Sequence, residues 1–572
     1  MTLNNITKGL GILVLAGGMA SCSSDYLSLQ PETNMVSNED VAGNESSLGS
    51  ALYGICSSMY AQYENYYSYR WFNGEPWFSM VYGDVLGQDY VCYFWQSSTS
   101  GLLNNWAYVR NQAATSDAIP WTYSYGLISQ ANNIIDLDSD EIEGETAFRV
   151  AQAYTLRAHG YVRILQVFGP RWADSQNGSV LVAPLRLEPA ADVISNGTPN
   201  MPLSSMSAIL DQIYSDIERA QYLYSIAGWY RDYYWEPDED IANGVLARAA
   251  LLKEDWQTAY DAALSAASYY PVMSADDYEA GFAFANSEWM WASPDGSTNM
   301  WFASFGATYA CNGQYPQRWT SIGAGAVSMD LYRQMGDLND VRANLFFTPD
   351  KVPADKQDLF YDGAVCNLTQ CNINSSENDL TPYLAQFIYD RWSITGAPNG
   401  WDYPYVSYPY VAAGILNPTG MVVQFGAQFK FWGTDTYSSS SFPYMRGSEM
   451  LLTAAEAAYH LGDSATAIEL LDEINKNRIS DFTTTELIDN DVLTTIKWNR
   501  RWELWGEGYS WFDLKRWNEP VVRNAWEAGN PDSGNWPQAI ANSFDTDEAN
   551  GWRWIIPRNE TQYNDDIPSG GM

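Results

Sequence analysis

Arg501, Glu503, Glu507 and Asp513 stand close together near the C-terminus. Carboxylates beside arginines could serve general acid–base chemistry, where a positioned donor faces a positioned acceptor. Their surroundings point to another use. The stretch Asn499–Trp517 carries four tryptophans, four Arg/Lys and three acids in nineteen residues. Aromatics at that density belong in an interior. A charge taken there is costly unless an opposite charge and hydrogen bonds accompany it. The stretch therefore reads as a structural knot of ion pairs around tryptophans.

Other chemical signals are weaker. The two histidines, His159 and His460, are far apart in sequence, which argues against a histidine-rich catalytic or transition-metal site. Asp136-x-Asp138-x-Asp140 opens like a calcium loop, but Glu141 stands where the loop needs glycine and Ala147 where it needs glutamate. It reads as a solvated loop between helices. Walker, G-x-S-x-G and H-E-x-x-H motifs are absent from the sequence. Among 69 acids no spacing selects a carboxylate pair for glycoside hydrolysis. No catalytic residue, metal ligand or cofactor is assigned.

Composition points to binding. The 572 residues carry a formal charge of −39, which excludes a nucleic-acid partner and charge-driven adhesion to anionic lipid. Only 17% are charged, while 25 Trp, 40 Tyr and 20 Phe take up the space. An excess of aromatics suits stacking on the apolar faces of sugar rings, with Asp, Asn, Gln or Arg for the hydroxyls. One aromatic cluster runs from Tyr66 to Trp95 and is interleaved with Asp84, Asp89, Gln96, Asn104 and Asn105. Others hold Trp289, Trp291, Trp301 and Phe305; Tyr309, Tyr315 and Trp319; and Trp401 to Tyr410.

The elements that must position these groups are mostly helical. Trp121–Ile135 and Gly144–Phe168 show helical spacing, the second ending at Gly169-Pro170. Two further regions look like a repeat, with Asp255 and Asp463 as helix N-caps. At equal offsets stand Ala247 and Ala455, Ala250 and Ala458, Ala259 and Ala467, and Ala263 and Leu471. Each unit is a helix, a tight turn and a helix, as in tetratricopeptide pairs. The units lie 208 residues apart, so a long insertion interrupts the array. Between residues 271 and 446 helical periodicity mostly fails, apart from a helix near Ser328–Met335. Loops of this length are functional or disordered, and their aromatics argue against disorder. Cys366 and Cys371 are close enough in sequence to bridge in an oxidising compartment. At the N-terminus, Lys8, the apolar Leu10–Ala16 and small residues before Cys22 resemble a bacterial lipoprotein signal.

The run Arg500-Arg501-x-Glu503-Leu504-x-x-Glu507-Gly508-x-x-Trp511-Phe512-Asp513-Leu514-x-Arg516-Trp517 closely resembles the C-terminal signature of the SusD/RagB family. Trp552–Glu560 resembles that family's closing motif, and Trp121–Ile135 with Gly144–Phe168, including the run Leu156–Gly169, its N-terminal helix pair. Asn499 departs from the pattern, where an acid is usual. The resemblance implies a mostly α, tetratricopeptide-like helix-pair scaffold with long irregular aromatic-rich insertions. It implies a non-enzymatic surface protein that captures oligosaccharide or polysaccharide for a SusC-like TonB-dependent transporter. It also implies an outward-facing place in the outer membrane, anchored by lipid on Cys22. The expected division is a signal peptide at 1–21, a tether at 22–43, an N-terminal helical part at 44–270, the insertion at 271–446 and a C-terminal helical part at 447–572. Tyr90, Trp95, Trp301 and Trp319, with Asp89 and Asn105, are the nominated ligand contacts. The same scaffold could instead bind peptide or another nutrient, or act as a surface glycosidase.

Overall fold

The computed structural model describes residues 45–61, 72, 74–91, 111–113, 115–189, 192, 200–295, 325–361, 383, 387, 390, 426–431, 440–482, 491–538, 540–544 and 552–569. The chain divides into two units, Met1–Ala51 and Leu52–Met572. Among its described residues the first holds the start of the helix Glu45–Ser58. The second is mostly α-helical.

Its N-terminal helices are Thr115–Ile135, Gly144–Phe168 and Met206–Ala227. The first begins before Pro120 rather than at Trp121. The helix Gly144–Phe168 lies between the other two, so nearly its whole circumference is buried. That explains why its polar residues are paired. Arg157 makes two bonds to Asp216, at 2.6 and 2.9 Å, and Arg149 reaches Glu236 at 2.5 Å. The helix Met206–Ala227 buries Ile209, Leu210, Ile213, Ile217, Ala220 and Leu223 on one face, and Ser205 caps it. The loop Asp136–Asp140 carries no metal-like cluster: Asp138 accepts from Arg219 at 2.6 and 2.8 Å and from Tyr154 at 2.9 Å.

The repeat is real. Glu239–Lys253 with Trp256–Ala267, and Gly447–His460 with Ser464–Asn475, form two helix pairs. Asp255 and Asp463 cap the second helix of each pair through the backbone N–H of Thr258 and Thr466. The two pairs pack against each other, with Ala250 and Ala259 of one meeting Ala457 of the other. The small side chains permit this close crossing. Trp256 also stacks on His460 with 3.9 Å between ring centroids. The helix Val492–Glu503 joins the second pair, and Ile496 and Leu504 enter its core beside Leu471 and Ile474.

The insertion is anchored by short extended pieces. Trp289–Ala292 pairs antiparallel with Pro443–Arg446. A four-stranded sheet runs in the order Tyr90–Val91, Ala326–Val327, Ala427–Gln428, Phe346–Phe347. The helix expected near Ser328–Met335 spans Met329–Gly336. Cys366 and Cys371 lie outside the described residues.

Candidate functional site

The C-terminal signature folds as two helices, Val492–Glu503 and Ser510–Trp517, joined by a tight turn. Gly508 in that turn has a φ of +96°, a region costly for other residues, and a Cβ there would strike Ser79. Gly83, on a π-helical turn at Ser79–Val85, meets the Gly508 backbone so closely that a Cβ would lie 2.1 Å from the Gly508 carbonyl oxygen. Asp84 accepts the Gly508 N–H at 2.7 Å.

Around this turn lies a buried charge network. Arg478 donates twice to Glu503 at 3.0 Å, Arg446 once at 3.2 Å and Arg342 once at 3.3 Å. Arg446 also reaches Glu288 at 2.6 Å and Glu507 at 2.7 Å. Lys430 donates to Glu507 at 2.6 Å and to the carbonyls of Glu503 and Trp505. With Asp340 on Arg342, four cations face four carboxylates, so the network is neutral although its side chains are almost wholly buried. That balance is what makes burial tolerable. Burial alone would raise the Glu503 carboxyl, but Arg478, Arg446 and Arg342 hold it well below the usual carboxylate range. Burial pushes the Lys430 ammonium down to about 8 against the pull of Glu507. A second, smaller set links Arg500 and Arg516 to Asp513, and Arg516 to Glu456. Arg501, Glu503, Glu507 and Asp513 thus hold the scaffold together.

The network's partners Glu288, Arg342, Lys430, Arg446 and Arg478 escaped the sequence reading. They come from the insertion, the second helix pair and its flanks, and nothing local marks them as one cluster. His159 is structural too. It sits 2.9 Å from Glu75, and burial lowers its pKa.

The network is fastened to the four-stranded sheet at Tyr90. Arg501 grips Asp89 with two bonds at 2.6 and 2.9 Å. The Trp505 indole N–H donates to the Asp89 carbonyl at 2.8 Å, and its ring stacks on Tyr90 at 5.2 Å. Gly325 makes room for that tyrosine, since a Cβ there would enter the Tyr90 ring. Asp89 and Tyr90 are 3% and 0% exposed, so the structure reassigns both from ligand contacts to scaffold. The reason is physical: Asp89 already has its cation, and Tyr90 already has an aromatic face. Trp95, Asn105, Trp301, Trp319 and Cys22 lie outside the described residues.

Tyr90 opposes Val327 and Val91 opposes Ala326, antiparallel. In the sequence, Trp95 is four residues beyond Val91 and Trp319 six before Gly325.

Residues 397–568 match the family model described as the SusD family. The SusD-like protein P38 of Formosa agariphila is 23% identical over 533 residues, covering 90% of this chain and 92% of that one. Among solved structures, a SusD-like carbohydrate binding protein from Bacteroides vulgatus aligns with a TM-score of 0.64 at 20% identity, over 92% of this chain and 98% of that one. A SusD superfamily protein from Bacteroides thetaiotaomicron aligns with a TM-score of 0.60 at 19% identity, over 92% and 99%. The signature knot, the paired tetratricopeptide-like helices and these similarities agree: residues 397–568 match the SusD family, and the fold is that of the SusD-like structures.

Proposed function

We propose that this chain is a non-enzymatic glycan-capture protein. It holds oligosaccharide at the outer surface of the cell and passes it to a SusC-like TonB-dependent transporter, itself anchored by lipid on Cys22. The match of residues 397–568 to the SusD family carries this reading. Trp95 and Trp319, four residues after Val91 and six before Gly325 in the sequence, are offered as two stacking faces of one platform. The similar carbohydrate binding protein from Bacteroides vulgatus supports the ligand class. A platform of this kind favours modest affinity and rapid release, which suits handing on a ligand.

The test is a glycan-array screen of the protein lacking residues 1–22, with calorimetry on any hit using Trp95→Ala, Trp301→Ala and Trp319→Ala. A hit weakened about tenfold or more in a folded tryptophan variant, as loss of a stacking face implies, supports glycan capture. Binding unchanged in all three would refute the platform. Release of reducing sugar from a bound glycan would refute the non-enzymatic reading.

A further inference from the structure

A separate cleft opens in the scaffold where the two helix pairs meet the signature helix Ser510–Trp517. Its volume is about 270 Å³. Trp172, Trp256, Trp517 and His460 line it, so much of its wall is aromatic. Arg171, Lys497, Lys515 and Arg516 line it as well. In a chain of charge −39 with only 30 Lys and Arg, four cations line this one cleft beside two acids, Glu254 and Glu456.

Lys515 is the distinctive member. It is 4% exposed, and its ammonium donates to the carbonyls of Gln166 at 2.8 Å and Gly169 at 2.6 Å. An ammonium has three donors, so one remains. Among the described residues no carboxylate pairs with it, whereas its neighbours are matched. Arg516 is bound to Glu456 and Asp513, Lys497 to Glu519, and Arg171 to Asp174. Glu456 is taken by Arg516 and by the Trp517 indole and makes no ion pair with Lys515. A buried cation lacking a counter-charge is costly, and an anion entering the cleft would remove that cost.

We propose that this cleft binds a small oxyanion carried on a sugar-sized ring, with Lys515 as the buried anion partner, Lys497 at the rim and the rings of Trp256 and Trp517 as walls. Its size suits one residue rather than a chain, since it lies just under the ~300 Å³ at which ligand pockets begin. The residues that line it are other than those nominated for the aromatic platform.

Burial, then the charges of Arg553 and Arg171, push the Lys515 ammonium down to about 7. Lys497, Arg516 and His460 also line the cleft, and Glu254 and the already paired Glu456 are its acids. A bound anion favours the protonated form. Complex formation near pH 8 therefore takes up a proton, and affinity falls with rising pH above neutrality, by up to about tenfold per unit.

Calorimetry on the purified protein tests this with glucuronate, glucose 6-sulfate and glucose at pH 6 and 8.5, each in two buffers of different ionisation heat. Binding of either acid sugar but not of glucose, tighter at pH 6 and with proton uptake at pH 8.5, supports the proposal. Which acid sugar binds then tells carboxylate from sulfate. Lys515→Met should abolish the signal. Should that variant fail to fold, Lys497→Gln, which leaves the interior intact, should weaken binding about threefold, the worth of a partly exposed charge. Equal binding of glucose, no binding of either acid sugar at millimolar concentration, or affinity independent of pH would overturn it. Trp301→Ala leaves this binding unchanged, so failure here and failure of glycan capture are read separately.

Discussion

Glu503 shows how one residue can look catalytic and be structural. It is fully buried and receives three arginines, so its carboxylate neutralises groups drawn from distant parts of the chain. Glu503→Gln removes the charge but keeps the volume, leaving the guanidiniums short of a partner. Breaking a buried pair in this way costs about 3–5 kcal/mol. Urea denaturation should report that loss, while the folded fraction keeps its glycan affinity. A variant of unchanged stability that has lost glycan binding would instead move Glu503 into the ligand site. Gly508→Ala is expected to destabilise as well, by at least about 1–3 kcal/mol for the strained φ alone. Its Cβ must also displace Ser79, and the same denaturation measurement tests it.

At the scale of elements, the two helix pairs carry equivalent caps in different settings. Asp255 caps Thr258 and also accepts the Tyr214 hydroxyl at 3.1 Å, so it ties its helix to the neighbouring Met206–Ala227. Asp463 bonds only within its own first turn, to the Thr466 amide and hydroxyl. Asp255→Ala should cost about 0.5–2 kcal/mol, toward the upper end because a tertiary bond goes with the cap. Asp463→Ala should cost less, since its surroundings are water. Thermal melts of the two variants decide the order, and a larger loss at Asp463 would contradict it. The sheet register is the other decision taken at this scale. Two-residue strands are too short to read from a pattern, yet they join four distant pieces of the chain into one sheet.

At the scale of the whole molecule, the buried charges predict how stability depends on pH. Glu75, Glu456 and Glu503 are buried, which alone would raise their pKa values, but arginine partners hold all three below the usual range, Glu456 at about 2. Such carboxylates refuse protons in the native state that the unfolded chain accepts near pH 4.3. Stability is therefore full above that value and falls as pH drops toward the native pKa values. Urea midpoints should decline between about pH 5 and 3 as these three carboxylates are forced to take up protons. A midpoint unchanged at pH 3 would show that the network contributes little. The anchor is a property of the whole chain too: Cys22→Ala should move the protein from the membrane fraction to the soluble one. Retention in the membrane fraction would remove the lipid-anchor proposal.

Local chemistry was enough for the scaffold. Helical spacing, the caps Asp255 and Asp463 and the small residues at matched offsets determine helix pairs because they act within one or two turns. The same holds for the density of Trp and charge in Asn499–Trp517, which dictates burial and pairing. The helix Met206–Ala227 was equally legible, with apolar residues in steps of three and four, and was overlooked. Only the tertiary structure decided which cations meet which acids. Arg342, Lys430, Arg446 and Arg478 reach Glu503 and Glu507 across as many as 161 residues, and Coulomb attraction carries no mark in local sequence. It also decided that Asp89 and Tyr90 face inward, because polarity and aromaticity suit a ligand and an interior partner equally well. What separates the two roles is whether Arg501 and Trp505 already stand there.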